Sequence, residues 1–267
     1  MRILDLFSRA GYLAKLGFAT RAVSQSVQPP THLTDFVSAV PGQNQGPSLP
    51  VLKAYYETLI SAHGPQHWWP GRTRFEVIVG AILTQNTSWK NVERAIANLR
   101  REKLLSLDAL HACPTPRLAQ LIRSSGYFRQ KAKKLKAFTR FVHRNYSGSL
   151  TRMFAAPTEA LRAQLLAGHG IGPETADSIL LYAGNHPVFV VDAYARRILE
   201  RHALASPKLR YDEVRALFER ALPHDPQLFN EFHALIVHTG KHFCSARTPD
   251  CSRCALQQFL PAPQAVS

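Results

Sequence analysis

The chain has 267 residues, 45% of them hydrophobic, which is ample for a core and near the upper limit for one domain, so two lobes are expected. Lys and Arg outnumber Asp and Glu by 33 to 18, giving a formal charge of +15 and a pI near 10.1. Such a balance favours a polyanionic partner, nucleic acid foremost, through phosphate contacts and counterion release. No uninterrupted apolar run approaches the roughly 18 residues of a membrane helix, and the basic residues are spread rather than clustered, so no membrane partner is expected.

Residues 1 to 24 are basic, with Asp5 as the one acid, and carry apolar residues at near-helical spacing. That pattern suits an organelle-targeting presequence and equally a plain amphipathic extension. In a bacterial chain the expected location is the cytoplasm, beside the nucleoid. Residues 25 to 49 are rich in Ser, Gln, Pro and Gly without helical periodicity and read as a linker, so 1 to 49 form an extension ahead of folded structure beginning near Pro50.

From there the apolar spacing predicts helices over Val51 to Ala62, Arg74 to Thr84, Lys90 to Lys103, Pro116 to Ser124, Gln130 to Asn145 and Thr158 to Leu166. The series continues with Pro173 to Ala183, Ala193 to His202, Tyr211 to Leu222 and Pro226 to Lys241. Start signals support several: Pro173 sits at a first helical position after Gly172, and Asp212 and Glu213 enrich another first turn. Val188 to Val191 (VFVV) is the one strand-like run, and four residues between Pro187 and Asp192 serve equally as a buried extended lead-in. The class is all-α. Cys244, Cys251 and Cys254 crowd into eleven residues, a pattern of metal ligation in a reducing compartment rather than of a disulfide framework.

The most informative stretch is Leu165 to Leu181, LLAGHGIGPETADSILL. A helix ends at Gly168, a tight turn runs through Gly170, Ile171 and Gly172, and a new helix opens at Pro173, which makes a helix-hairpin-helix. Glycine permits the turn's backbone angles and lets the main chain approach a phosphate, which the next helix start can bind through free N–H groups and its dipole. The same sequence also fits an ordinary Gly-rich helix connection. After it comes VFVVDAYARRIL, with Asp192 ending an apolar stretch before a helix bearing Arg196 and Arg197.

Here the chain resembles the endonuclease III superfamily of helix-hairpin-helix DNA glycosylases, over roughly residues 50 to 260. RFEVIVGAILTQNT at 74 to 87, SGYFRQKAKKLKAF at 125 to 138 and HTGKHFCSARTPDCSRC near the C-terminus match its segments in order. The resemblance implies two helical lobes with the active-site cleft between them. Residues 75 to 185 would form a six-helix barrel lobe with the hairpin, and 50 to 74 with 186 to 267 a second lobe ending in the cysteine-rich loop. It implies a monomer acting on double-stranded DNA that contains a damaged base.

It also implies roles. Asp192 would be the carboxylate that stabilises an oxocarbenium-like sugar and assists water, although an aspartate there is also a natural helix cap. Gln85 would fill the gap left by the extruded base, and Gly170, Gly172, Thr175, Arg196 and Arg197 would bind the DNA. Bifunctional members attack the sugar with a lysine in the pattern GxGxKTA; this chain has Glu174 there, eighteen residues before Asp192, and a carboxylate cannot form an imine. A monofunctional enzyme is therefore expected, with a bifunctional glycosylase acting on oxidised pyrimidines, or a non-catalytic DNA binder, as the alternatives. Trp68 and Trp69, followed by Pro70, resemble the tryptophan–proline stretch of the endonuclease III-like 3-methyladenine glycosylases, where stacking would hold an alkylated purine, and Lys241 matches a basic pocket position. The family's [4Fe–4S] spacing is C-x6-C-x2-C-x5-C; Cys244, Cys251 and Cys254 keep three places, Leu260 holds the fourth, and Cys113 lies far off in sequence. An iron–sulfur cluster with an incomplete ligand set and a metal-free relic loop both fit.

Overall fold

The structure, a computed structural model, describes residues 49–66, 68 and 71–261. The expectations for residues 1 to 48, the targeting-like extension and the linker, lie outside the described residues. Within them the chain is helical throughout, with twelve α-helices and no strand.

The helices are α1 (Leu49–His63), α2 (Arg74–Leu83), α3 (Trp89–Arg101), α4 (Leu107–Ala112), α5 (Thr115–Leu121) and α6 (Phe128–Tyr146). There follow α7 (Leu150–Phe154), α8 (Thr158–Leu166), α9 (Pro173–Ser178), α10 (Ala193–Arg201), α11 (Tyr211–Ala221) and α12 (Pro226–His242). Two of these, α4 and α7, were not expected. Each has under two turns, too short for periodicity to show, and each starts on a serine, Ser106 or Ser149, whose hydroxyl accepts from a first-turn N–H. The helix expected through Ala183 changes pitch at Ile179–Ala183, a π turn in which Gly184 N–H donates to Ile179 O at 3.1 Å.

Two hydrophobic cores organise these helices into two lobes. The first gathers buried side chains from Phe75 to Val188 around α2, whose sequence RFEVIVGAIL is apolar on almost every face and is buried from Phe75 to Leu83. Its one buried charge, Glu76, is met by Arg100 Nη2 at 2.6 Å. The second core joins Leu52, Tyr55, Tyr56 and Leu59 of α1 to α10, α11 and α12. Phe189 lies at its centre, fully buried, stacked on Phe218 at 3.9 Å and edge-on to Phe229 and Phe232. Burying a ring of that size contributes about 1.5–3 kcal/mol.

Val188 to Val191 is the buried lead-in and not a strand. Buried backbone donors need acceptors, and here α11 supplies them from side chains: Phe189 N–H donates to Glu219 Oε1 at 2.9 Å and Val191 N–H to the Tyr211 hydroxyl at 3.2 Å. The segment thus runs extended across the second core and delivers Asp192 to the start of α10.

Candidate active site

The hairpin forms between α8 and α9. Helix α8 spans Thr158–Leu166, the bounds expected from the apolar spacing, with Ala167 as its C-cap ahead of Gly168. Gly170 has φ +77°, which an L side chain rarely adopts, and a Cβ there would meet Lys134 Cε at 2.5 Å. Gly172 is different. Its φ of −91° is ordinary and a Cβ would enter open space, so the expectation that the turn's angles demand glycine is corrected at this position.

Gln85, on the loop after α2, is tied to this turn. Its Nε2 donates to Gly170 O at 3.2 Å and Thr175 Oγ1 at 2.9 Å, while Lys134 Nζ donates to its Oε1. Thr175 is buried and so acts within this contact. Beside Gln85 an open depression of about 200 Å³ is lined by Asn86, Tyr127, Gln130, Lys131 and Lys134. Tyr127 is 67% exposed and sits in the left-handed region at φ +45°. Beneath it Lys131 is buried; its ammonium donates to Leu83 O at 2.9 Å and Ser125 O at 2.6 Å, and loss of water brings it down to about 8.

Asp192 is the N-cap of α10: its Oδ1 accepts from Ala195 N–H at 2.8 Å. Cap and candidate catalyst therefore coincide, because Oδ2 faces His233 Nε2 at 3.7 Å. Burial opposes the charge on this carboxylate, but His233 and the backbone N–H groups of Ala195 and Tyr194 outweigh it and hold Asp192 below the usual aspartate range. Glu174, on the first turn of α9, moves the other way: loss of water around its carboxyl and the negative charge of Asp192 raise it, against a smaller pull from His233. Two carboxyl groups that feel one another are thus driven apart, one towards the anion and one towards the neutral acid.

His233 is buried in α12 and its Nδ1 lies 2.5 Å from the Tyr182 hydroxyl. Burial and the charges of Asp192 and Glu174 keep that phenol protonated well above its ordinary range. Trp68 stacks on His233 at 5.4 Å and meets Tyr182 edge-on at 5.9 Å. Gln66 N–H donates to Glu231 on α12, which anchors the segment leading to Trp68. Trp69 and Pro70 lie outside the described residues.

The remaining expected site residues sit apart. Arg196 Nη1 donates to Leu209 O at 2.9 Å, and Arg197 donates to Cys244 O at 2.7 Å and Gly240 O at 3.2 Å while lying over the Tyr194 ring. Both guanidinium groups hold loops of the protein. Lys241 is exposed on the last turn of α12, about 12 Å along the axis from His233, and its charge bears on His238.

The cysteine loop does not fit a four-thiolate cluster. Cys244, buried, accepts from Arg201 Nη1 at 2.9 Å through its sulfur, Leu260 offers no ligand, and Cys113 is buried in the first core. Among the described residues no group of three or more His, Cys, Asp or Glu is arranged to hold a metal ion.

His233, Tyr182, Lys134 and Tyr127 were missed in the sequence. The family-like segment SGYFRQKAKKLKAF contained two of them, but only folding reveals which of its residues meet Gln85; nothing local marks His233 or Tyr182.

A glycine turn pinned to a glutamine loop, and a carboxylate at a helix start that faces a histidine held between Tyr182 and Trp68, are the features of one class: a helix-hairpin-helix DNA repair glycosylase. Residues 79–224 match the HhH-GPD superfamily of base excision DNA repair proteins. A Methanocaldococcus jannaschii protein, named provisionally as a DNA repair glycosylase, is 47% identical over 206 residues, 76% of this chain and 93% of that one. The H. pylori 3-methyladenine DNA glycosylase MagIII, solved with 1,N6-ethenoadenine, is 29% identical with TM-score 0.63, covering 72% of this chain and 96% of that one. A non-covalent endonuclease III–DNA complex shares the fold at TM-score 0.69 and 21% identity, over 80% of this chain and 95% of that one. The chain belongs to the HhH-GPD superfamily.

Proposed function

We propose that the protein is a monofunctional glycosylase that hydrolyses the N-glycosidic bond of a damaged base flipped out of duplex DNA. The observation that carries this reading is the pair Asp192 and Glu174: a carboxylate capping α10 with its Oδ2 turned to His233, and a carboxyl group where bifunctional relatives need an amine. As the glycosidic bond breaks, its electron pair leaves with the base and positive charge grows on the sugar. Asp192 offsets that charge, and takes a proton from the water whose oxygen bonds to the anomeric carbon.

Alkylated purines are the proposed substrates. Trp68 over His233 provides an aromatic wall for an electron-poor ring, and the likeness to MagIII supports the same class. The hairpin backbone around Gly170 and Gly172 would hold phosphate. Gln85 and the exposed Tyr127 flank one depression from which both can enter the duplex, where an aromatic ring stacks on any base.

The test is a panel of duplexes, each with one lesion, run with and without alkaline cleavage and with borohydride. The expected result is base release from alkylated purines, strand breaks only after alkali, and no trapped covalent complex. A complex trapped in good yield would refute the monofunctional assignment, and release confined to oxidised pyrimidines would refute the substrate.

A further inference from the structure

We infer that His233 is a positioning residue for Asp192, joined through its two ring nitrogens to Tyr182 and to the carboxylate, so that the ring stacked on Trp68 also aims the catalytic group. This rests on the glycosylase reading above.

Geometry supplies the reasons. His233 Nε2 is buried, has no hydrogen-bond partner, and faces Asp192 Oδ2 at 3.7 Å. A buried imidazole nitrogen without a partner costs free energy, and the carboxylate is the acceptor beside it. Catalytic contacts of this kind are commonly long before substrate binds and tighten in the complex. On the other side the Tyr182 hydroxyl stands 2.5 Å from Nδ1; a phenol that keeps its proton donates it there, which leaves Nε2 to carry the hydrogen that points at Asp192.

The ring is also held in plane. Trp68 stacks on it at 5.4 Å with 28° between planes, and Phe189 meets it edge-on at 6.3 Å. A base seated against Trp68 would therefore press on the same ring that orients Asp192. The backbone N–H groups of Ala195 and Tyr194 hold the carboxylate from the helix start, and His233 is the side chain that faces its Oδ2. The titratable groups facing His233 are Asp192 and Glu174 and, from the π turn, Tyr182.

The experiment compares His233→Ala, His233→Gln and Asp192→Asn with wild type under single-turnover conditions on alkylated-purine duplex, from about pH 5 to 8. Affinity for abasic-site DNA and the carbon-13 titration of the Asp192 carboxyl are measured alongside. The expected loss for His233→Ala is about 10–100-fold in rate, the scale of a misplaced catalytic group, with abasic-site affinity within about threefold. The Asp192 carboxyl should titrate higher without its partner, so the variant should lose rate towards mildly acidic pH where wild type stays level. Glutamine, whose amide can donate from nearly the Nε2 position, should recover most of the rate and return the titration. The inference is overturned if His233→Ala matches wild type in rate and titration, or if Ala and Gln lose rate and abasic-site affinity equally. Failure of the glycosylase reading looks different, because wild type would then release no base; the Asp192 titration still tests the contact in that case.

Discussion

Replacing Arg162 with methionine removes the guanidinium that meets both oxygens of Asp177. Nε lies 2.6 Å from Oδ1 and Nη2 3.1 Å from Oδ2, with Asp177 0% exposed. Deleting one member of a buried pair costs about 3–5 kcal/mol, since the survivor is left uncompensated. Two features place this case at the lower end: Arg215 Nη1 remains 4.0 Å from Asp177, and the Tyr211 hydroxyl still bonds to it. Arg162 also touches Asp212 at 2.6 Å, but that carboxylate is 60% exposed and adds little. The expected loss is thus about 3 kcal/mol near neutral pH, or a Tm lower by roughly 6–12 °C for a domain of this size.

Burial already raises the Asp177 carboxyl against the pull of Arg162, and removing the arginine raises it further. An acid whose folded pKa lies above its unfolded value binds more protons when folded, so stability falls as pH rises through that window. The deficit of Arg162→Met should therefore be larger at pH 8 than at pH 5. Urea unfolding followed by circular dichroism at both values measures it. A loss under about 1 kcal/mol, or one equal at both pH values, would show that Arg215 suffices and that the pair is not what holds α8, α9 and α11 together.

Asp192→Asn should reduce base release by at least about 10²-fold, the scale of lost transition-state electrostatics, while binding to abasic-site DNA stays within a few-fold; equal loss of both would make Asp192 structural. The two hairpin glycines should separate: Gly170→Ala forces a left-handed alanine costing about 1–2 kcal/mol, whereas Gly172→Ala leaves Tm unchanged yet weakens duplex binding, and unaltered binding would remove Gly172 from the interface. With Arg201 on Cys244 and Leu260 at the fourth spacing, anaerobically purified protein should contain well under four irons per chain and keep its Tm in chelator. Four irons with matching sulfide would overturn that.

The helical class and the hairpin were legible because they depend on local chemistry: apolar spacing, Pro173 at a helix start, Gly170 in a turn. Asp192 was legible as a carboxylate after an apolar run, but its surroundings were not. His233 comes forty-one residues later, on a seventeen-residue helix whose exposed and buried histidines look alike in sequence. Arg162 and Asp177 belong to different helices, and no spacing rule pairs them. Gly172 shows the converse error: sequence displays a glycine without displaying its φ. For VFVV both readings were open, and the decision lay in α11, where Glu219 and Tyr211 stand in for a neighbouring strand.

These hidden contacts form one chain that ends at the pocket. Arg162 of α8 holds Asp177 of α9; Asp177 meets the Tyr211 hydroxyl of α11; that hydroxyl accepts from Val191 N–H, the residue before Asp192. Glu174 and Tyr182 come from the hairpin and its π turn, while Asp192 and His233 come from α10 and α12. The separation of the two carboxyl groups is consequently set by how the lobes meet. Disturbing Arg162, which meets neither Asp192 nor Glu174, should then slow base release as well as lower stability.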